Sequence, residues 1–158
     1  MTAPAAPVIR RTDPRAPKAR ACLKAYYAEL DARFGGGFDV SLSRDPEAVD
    51  MISPRGAFFV ALDGAAPLGC AGFKGHDGAW AEVKRLWVAP AARGRGLATA
   101  LMAEIETAAR AMAIPLLRLD TNSALPEAAA LYDRLGWTRI DRFNDDPYPD
   151  LFFEKALP

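Results

Sequence analysis

The sequence predicts an α/β fold in which one mixed sheet carries helices on its faces. Three observations lead there: two stretches with apolar residues at helical spacing, three consecutive apolar runs punctuated by Asp-Gly pairs, and a return to short apolar runs near the end. Residues 8–12 read as a first strand. A helix is expected from just after Pro14 to about Phe34, with Ala21, Ala25, Ala28 and Ala32 on one stripe. Gly35, Gly36 and Gly37 stop it and give a flexible connection to Phe38 and Asp39. A short helix is expected after Asp45, with Pro46 at its first position.

The period then changes. Residues 57–62 and 67–74 are compact apolar runs ending at Asp63-Gly64 and at Gly75-His76-Asp77-Gly78, and 80–88 is a third. Asp-Gly between apolar runs is a hairpin signal, so the three read as an antiparallel meander. Leu97, Ala100, Leu101, Ile105, Ala108, Ala109 and Met112 give 97–114 a helical period. A strand at 116–121, a helix at 126–135 closed by Gly136, and strands at 137–140 and 151–154 complete the order.

Composition narrows the function classes. A length of 158 residues fits a single domain over 1–158, with the Ala/Pro-rich residues 1–7 expected to fray. Twenty Lys and Arg balance twenty Asp and Glu, which removes the cationic surplus that nucleic-acid binding draws on. The longest uncharged stretch, 64–73, is far shorter than the ~20 apolar residues of a membrane span. Met1–Pro7 has neither a cationic n-region nor an apolar h-region, so no signal peptide is expected. Cys22 and Cys70 lie far apart without metal-ligand spacing, so reduced thiols, no metal and a cytoplasmic location are expected.

The chemistry concentrates at Leu86-Trp87-Val88-Ala-Pro90-Ala-Ala-Arg93-Gly94-Arg95-Gly96-Leu97-Ala98-Thr99. A strand runs into Pro90, and two glycines and two arginines precede a long amphipathic helix. Gly94 and Gly96 let backbone approach a ligand closely. The helix boundary lacks Ser, Thr, Asp or Asn, so its first N–H groups have no side-chain cap. Free N–H groups, the positive helix end and Arg93 and Arg95 form an anion site, where a phosphate would act as the cap. The Lys-Ser/Thr pair of a Walker loop is missing, and Thr99 stands where a dinucleotide loop has its third Gly or Ala.

Arg93-x-x-Gly96-x-Ala98, after Val88-x-Pro90 and before an Ala/Leu-rich helix, resembles the acyl-CoA pyrophosphate loop of the GCN5-related N-acetyltransferase (GNAT) superfamily. Ala128-x-x-Leu131-Tyr132-x-x-x-Gly136-Trp137 resembles the family's later motif. Many members carry Asn three residues before that Ala; Leu125 stands there, with Asn122 as a substitute contact. The resemblance spans roughly residues 60–140. It implies the acyl-CoA N-acyltransferase fold, a mostly antiparallel central sheet flanked by helices, and acetyl-CoA as cosubstrate.

It also implies roles. Leu86, Trp87, Val88, Arg93, Gly94, Arg95, Gly96, Leu97, Ala98, Thr99, Asn122 and Tyr132 would bind the cofactor. The Leu86 N–H would donate to the thioester oxygen. Tyr132, placed by the helical period at the edge of its apolar stripe, would protonate the leaving thiol. Glu82, or a water it orders, would deprotonate the amine, and strand alternation puts Glu82 and Leu86 on one face. A solvated Glu82 paired with Lys84 is the plainer alternative. His76 reads as a turn residue, and direct attack is preferred over an acyl-cysteine route through Cys22 or Cys70.

The resulting expectation is transfer of an acetyl group to a primary amine, of a small molecule or of a protein. The alternatives are an acyl-CoA-binding sensor without turnover, and a longer acyl donor such as succinyl-CoA. Tyr26, Tyr27, Phe34, Phe38 and the acids Asp145, Asp146 and Asp150 are candidates for the acceptor pocket. The resemblance admits a homodimer, although no stretch of the sequence specifies an interface.

Overall fold

A computed structural model describes residues 7–42 and 48–158. Among them the elements run β1 (Val8–Arg11), α1 (Pro17–Arg33), β2 (Gly56–Asp63), β3 (Ala66–His76), β4 (Trp80–Val88), α2 (Leu97–Ala111), β5 (Leu116–Thr121), α3 (Pro126–Arg134), β6 (Thr138–Ile140) and β7 (Leu151–Ala156), with short 3-10 turns at Val40–Leu42 and Pro90–Ala92. The helix expected after Asp45 falls largely outside the described residues, and 49–55 are turns and bends.

Three of the boundaries that differ from the sequence expectation do so for a local reason. Helix α2 ends at Ala111 rather than 114, because Ala113 takes φ +58° and turns the chain toward β5. Trp137 does not open β6, because its N–H is spent on the Tyr132 carbonyl at 3.0 Å, closing α3. Strand β7 runs to Ala156, which pairs with Leu116.

The seven strands form one sheet in the order β1-β2-β3-β4-β5-β7-β6, antiparallel throughout except for the parallel β4–β5 pair. Strand alternation gives the sheet two apolar faces. Phe58, Val60, Leu62, Cys70 and Trp87 meet Ala19, Cys22 and Leu23 of α1. On the other face Phe59, Phe73, Val83, Leu117 and Phe153 meet Leu101, Met102 and Ile105 of α2 and Leu131 and Tyr132 of α3. Both thiols lie in the α1 layer, free and buried. Among the described residues no helix is long and apolar enough to cross a membrane.

Two irregularities in β4 position the site. Against β3, Cys70 pairs with Trp87 and Gly72 with Lys84, so Arg85 and Leu86 together stand opposite Ala71. This bulge is taken up by Arg85 at φ +65°, and the Cys70 thiol donates to the Arg85 carbonyl at 3.2 Å. Toward β5 the ladder covers only Ala81–Val83 against Leu117–Leu119. Beyond Val83 the two strands part.

Candidate active site

The parting of β4 from β5 opens a cleft with two chambers that share Tyr26 and Leu30 of α1, Leu86 of β4, and Leu125 and Ala128 at the start of α3. The first chamber reaches the start of α2, and the second lies toward the C-terminal end of β5.

The first chamber is built on a helix end that its own sequence leaves open. Gly96 caps α2 in the left-handed region (φ +75°), and no side chain bonds the first N–H groups of the helix. Gly94 has φ +80°, and a Cβ added at either glycine would meet no atom within 4 Å. The unpaired donors therefore face open space, backed by a helix dipole equivalent to roughly half a positive charge. Leu86, Trp87, Val88, Arg93, Gly94, Gly96, Leu97, Ala98 and Thr99 all line this chamber. Arg95 does not; its guanidinium donates to the Ala91 carbonyl at 2.9 Å. Arg93 donates to the Val88 carbonyl at 3.0 Å and pairs with Glu29 of α1 at 2.6 Å. Arg33 bonds Glu127 and the Ala124 carbonyl, so one line of ion pairs ties α1 to the loop and to α3.

The second chamber holds Tyr132 and a buried polar cluster. Tyr132 is only 5% exposed, inside the apolar stripe rather than at its edge, with its ring against Trp137 and Phe153. Its hydroxyl makes no hydrogen bond among the described residues and so is available to a ligand. Burial, then the nearby Asp120 charge, pushes the phenol well above its ordinary value, keeping it protonated. Tyr26, on the opposite wall, is raised by burial in the same way.

Glu82 and Leu86 do not share a face. The extra residue at Arg85 resets the alternation, so Leu86 packs with Val83 and Val88 on the α2 side while Glu82 sits on the other. Glu82 is 3% exposed and lines neither chamber. It is no solvated surface acid: Lys84 Nζ lies 3.1 Å away, Asn144 Nδ2 3.3 Å and His76 Nε2 3.5 Å. Burial pushes its carboxyl up, but Lys84, Lys74 and His76 outweigh that and hold it below its usual value. His76 closes β3 and stacks on Trp80 at 3.9 Å.

Asp120, at the end of β5, faces the second chamber and was not singled out from the sequence. It accepts from Asn144 Nδ2 at 2.6 Å and lies 3.8 Å from Lys84. Burial raises its carboxyl above the ordinary value despite the opposing pull of Lys84 and Asn144. Its signal was the alternation Leu117-Arg-Leu119-Asp120, which turns Asp120 to the face away from α2. Asn144 thus bridges two carboxylates, and Asp146, 6% exposed, is part of the same cluster rather than a solvated loop acid. Asn122 lines this chamber, not the first, and its amide is engaged with the Tyr148 carbonyl at 2.7 Å and the Ala124 N–H at 2.8 Å. Cys22 and Cys70 line neither chamber.

Known proteins resemble this chain over most of its length. The model of the acetyltransferase (GNAT) family matches residues 23–137. A protein named IAA acetyltransferase from Azospirillum brasilense is 33% identical over 134 residues, covering 82% of this chain and 86% of its own. A GNAT-family acetyltransferase structure from Staphylococcus aureus Mu50 superposes with a TM-score of 0.82 at 16% identity, covering 96% of this chain and 100% of that one. An acetyltransferase structure from Streptococcus agalactiae gives 0.81 at 20% identity, covering 96% and 99%.

Proposed function

The chain belongs to the GNAT acetyltransferase family, and from that premise we propose that it transfers an acetyl group from acetyl-CoA to a primary amine by direct attack in a ternary complex. The observation that carries this reading is the continuity of the cleft. One end presents uncapped main-chain N–H groups; the other presents a protonated phenol and a carboxylate; Leu86 lies between them.

The residues fit coenzyme A as cosubstrate. The Gly94–Thr99 backbone, with Arg93, offers donors to a diphosphate. The β4 edge beyond Val83 has no ladder partner in β5, which suits main-chain pairing with an extended pantetheine arm. Leu86, where the edge turns at the bulge, offers its N–H to the carbonyl oxygen as negative charge develops there.

An alkylammonium near pKa ~10 must lose a proton before it attacks. We assign that proton to Asp120, which reaches the chamber, and give Glu82 a positioning role behind it, acting through Asn144 and Lys84. The neutral amine adds to the thioester carbon, the C–S bond breaks as Tyr132 gives its proton to the departing sulfur, and the second proton leaves the attacking nitrogen to restore the Tyr132 phenol. Burial keeps the Tyr132 phenol protonated until the sulfur departs. Lys84 is answered by Glu82, Asp120 and Asp146 within 4.0 Å, leaving little charge to select an anionic acyl chain such as succinyl.

Steady-state release of coenzyme A from acetyl-CoA, with a primary amine as acceptor, tests the reading. Turnover dependent on the amine is expected. Saturable binding of acetyl-CoA without turnover of any amine would instead make the chain an acyl-CoA sensor.

A further inference from the structure

Resting on that reading, the second chamber specifies its acceptor further, and we infer that it takes a monoamine with a flat, apolar body, for which an arylalkylamine is the prototype. Two independent features of the chamber argue for it. The first is a built aromatic wall. Tyr27, Phe34, Phe38 and Tyr148 stand ring against ring, with centroids 5.7 Å apart for Tyr27–Phe38, 5.8 Å for Phe34–Tyr148 and 4.7 Å for Phe38–Tyr148. The wall is pinned from several elements. The Phe38 N–H donates to Asp31 Oδ1 at 2.8 Å, the Asp39 N–H to the Tyr148 hydroxyl at 2.7 Å, and Asn122 Nδ2 to the Tyr148 carbonyl at 2.7 Å. Rings held in place beforehand receive a flat apolar body at little ordering cost, and their faces favour offset or edge contacts with another ring.

The second feature is charge. The chamber carries two carboxylates, Asp120 and Asp146, and two cations, Lys84 and Arg85. Both acids are engaged: Asp120 by Asn144 and Lys84, Asp146 by Lys84 at 4.0 Å and by the Tyr148 N–H at 3.1 Å. One ammonium can be met at Asp120, where the proton is to be removed. A second cationic centre along the acceptor would find no carboxylate lining the chamber that is not already engaged, and ring faces return only part of what a desolvated ammonium loses. A polyamine or an amino sugar with several ammonium groups would therefore recover its lost solvation only in part.

The test is acceptor competition on the full chain, with release of coenzyme A as readout and phenethylamine, n-propylamine and spermidine as probes. The inference expects kcat/KM for phenethylamine to exceed that for either of the others by tenfold or more. Phe38→Ala, a loop change outside the sheet, should reduce the phenethylamine to n-propylamine ratio by at least tenfold. Turnover with spermidine or n-propylamine equal to or above phenethylamine would overturn the acceptor class while leaving the transferase reading intact. An unchanged ratio in Phe38→Ala would also overturn it. Acetyl-CoA bound with no amine consumed would remove both.

Discussion

At the scale of single residues, the proposed mechanism puts to opposite uses two groups whose ionisation burial pushes upward. Tyr132 must keep its proton until the thiol leaves, so Tyr132→Phe should fold and bind coenzyme A normally while slowing turnover by roughly 10²-fold. Turnover unchanged at saturating substrates would remove Tyr132 from the proton path. Asp120 must lose its proton to act, and its raised value moves the acid limb of the kcat profile above that of an ordinary aspartate. Asp120→Asn should abolish that limb. The Glu82 charge helps to raise Asp120, so Glu82→Gln should shift the limb to lower pH but preserve it. Loss of the limb in Glu82→Gln would return the base to Glu82. Glu82 was legible through the family resemblance, with strand alternation aligning it with Leu86; the bulge at Arg85 was not, since nothing in Lys84-Arg85-Leu86 marks a positive φ.

At the scale of elements, the uncapped start of α2 was readable from missing cap residues and two glycines, and the structure keeps those donors without a side-chain partner. What sequence could not show is how α1 reaches across. Glu29 occupies Arg93 at 2.6 Å, so a diphosphate approaching the loop must compete with a carboxylate already in place. Glu29→Gln should free the guanidinium and tighten coenzyme A binding several-fold at low salt, the gain fading as ionic strength rises. Weaker binding in Glu29→Gln would mean that Glu29 orients Arg93 rather than masking it. Pairings like this one, 64 positions apart, and the aromatic wall joining α1 to the segment before β7, where Asp39 and Tyr148 are 109 apart, bring together residues distant in the sequence. Local periodicity carries no information about such contacts.

At the scale of the molecule, the sheet and its two apolar layers hold the cleft apart. The three-strand meander, the β5 strand and the long helices follow from periodicity and Asp-Gly turns, because each buries a regular face. The separation of β4 from β5 beyond the Val83–Leu119 pair involves strands 36 positions apart, so no local pattern marks it. Phe73, fully buried between sheet and α2, should cost about 3–5 kcal/mol when changed to Ala, read as a lower denaturant midpoint. Coenzyme A at a hundred times its Kd should restore about 2.7 kcal/mol if it binds only the folded chain. The claim beneath every step is that the cleft starting at Gly94–Thr99 receives the diphosphate of coenzyme A. Isothermal titration calorimetry with coenzyme A measures this directly: one saturable site per chain is expected, weakened when Gly96→Val places a side chain among those donors. No saturable heat, or binding indifferent to Gly96→Val, would contradict it.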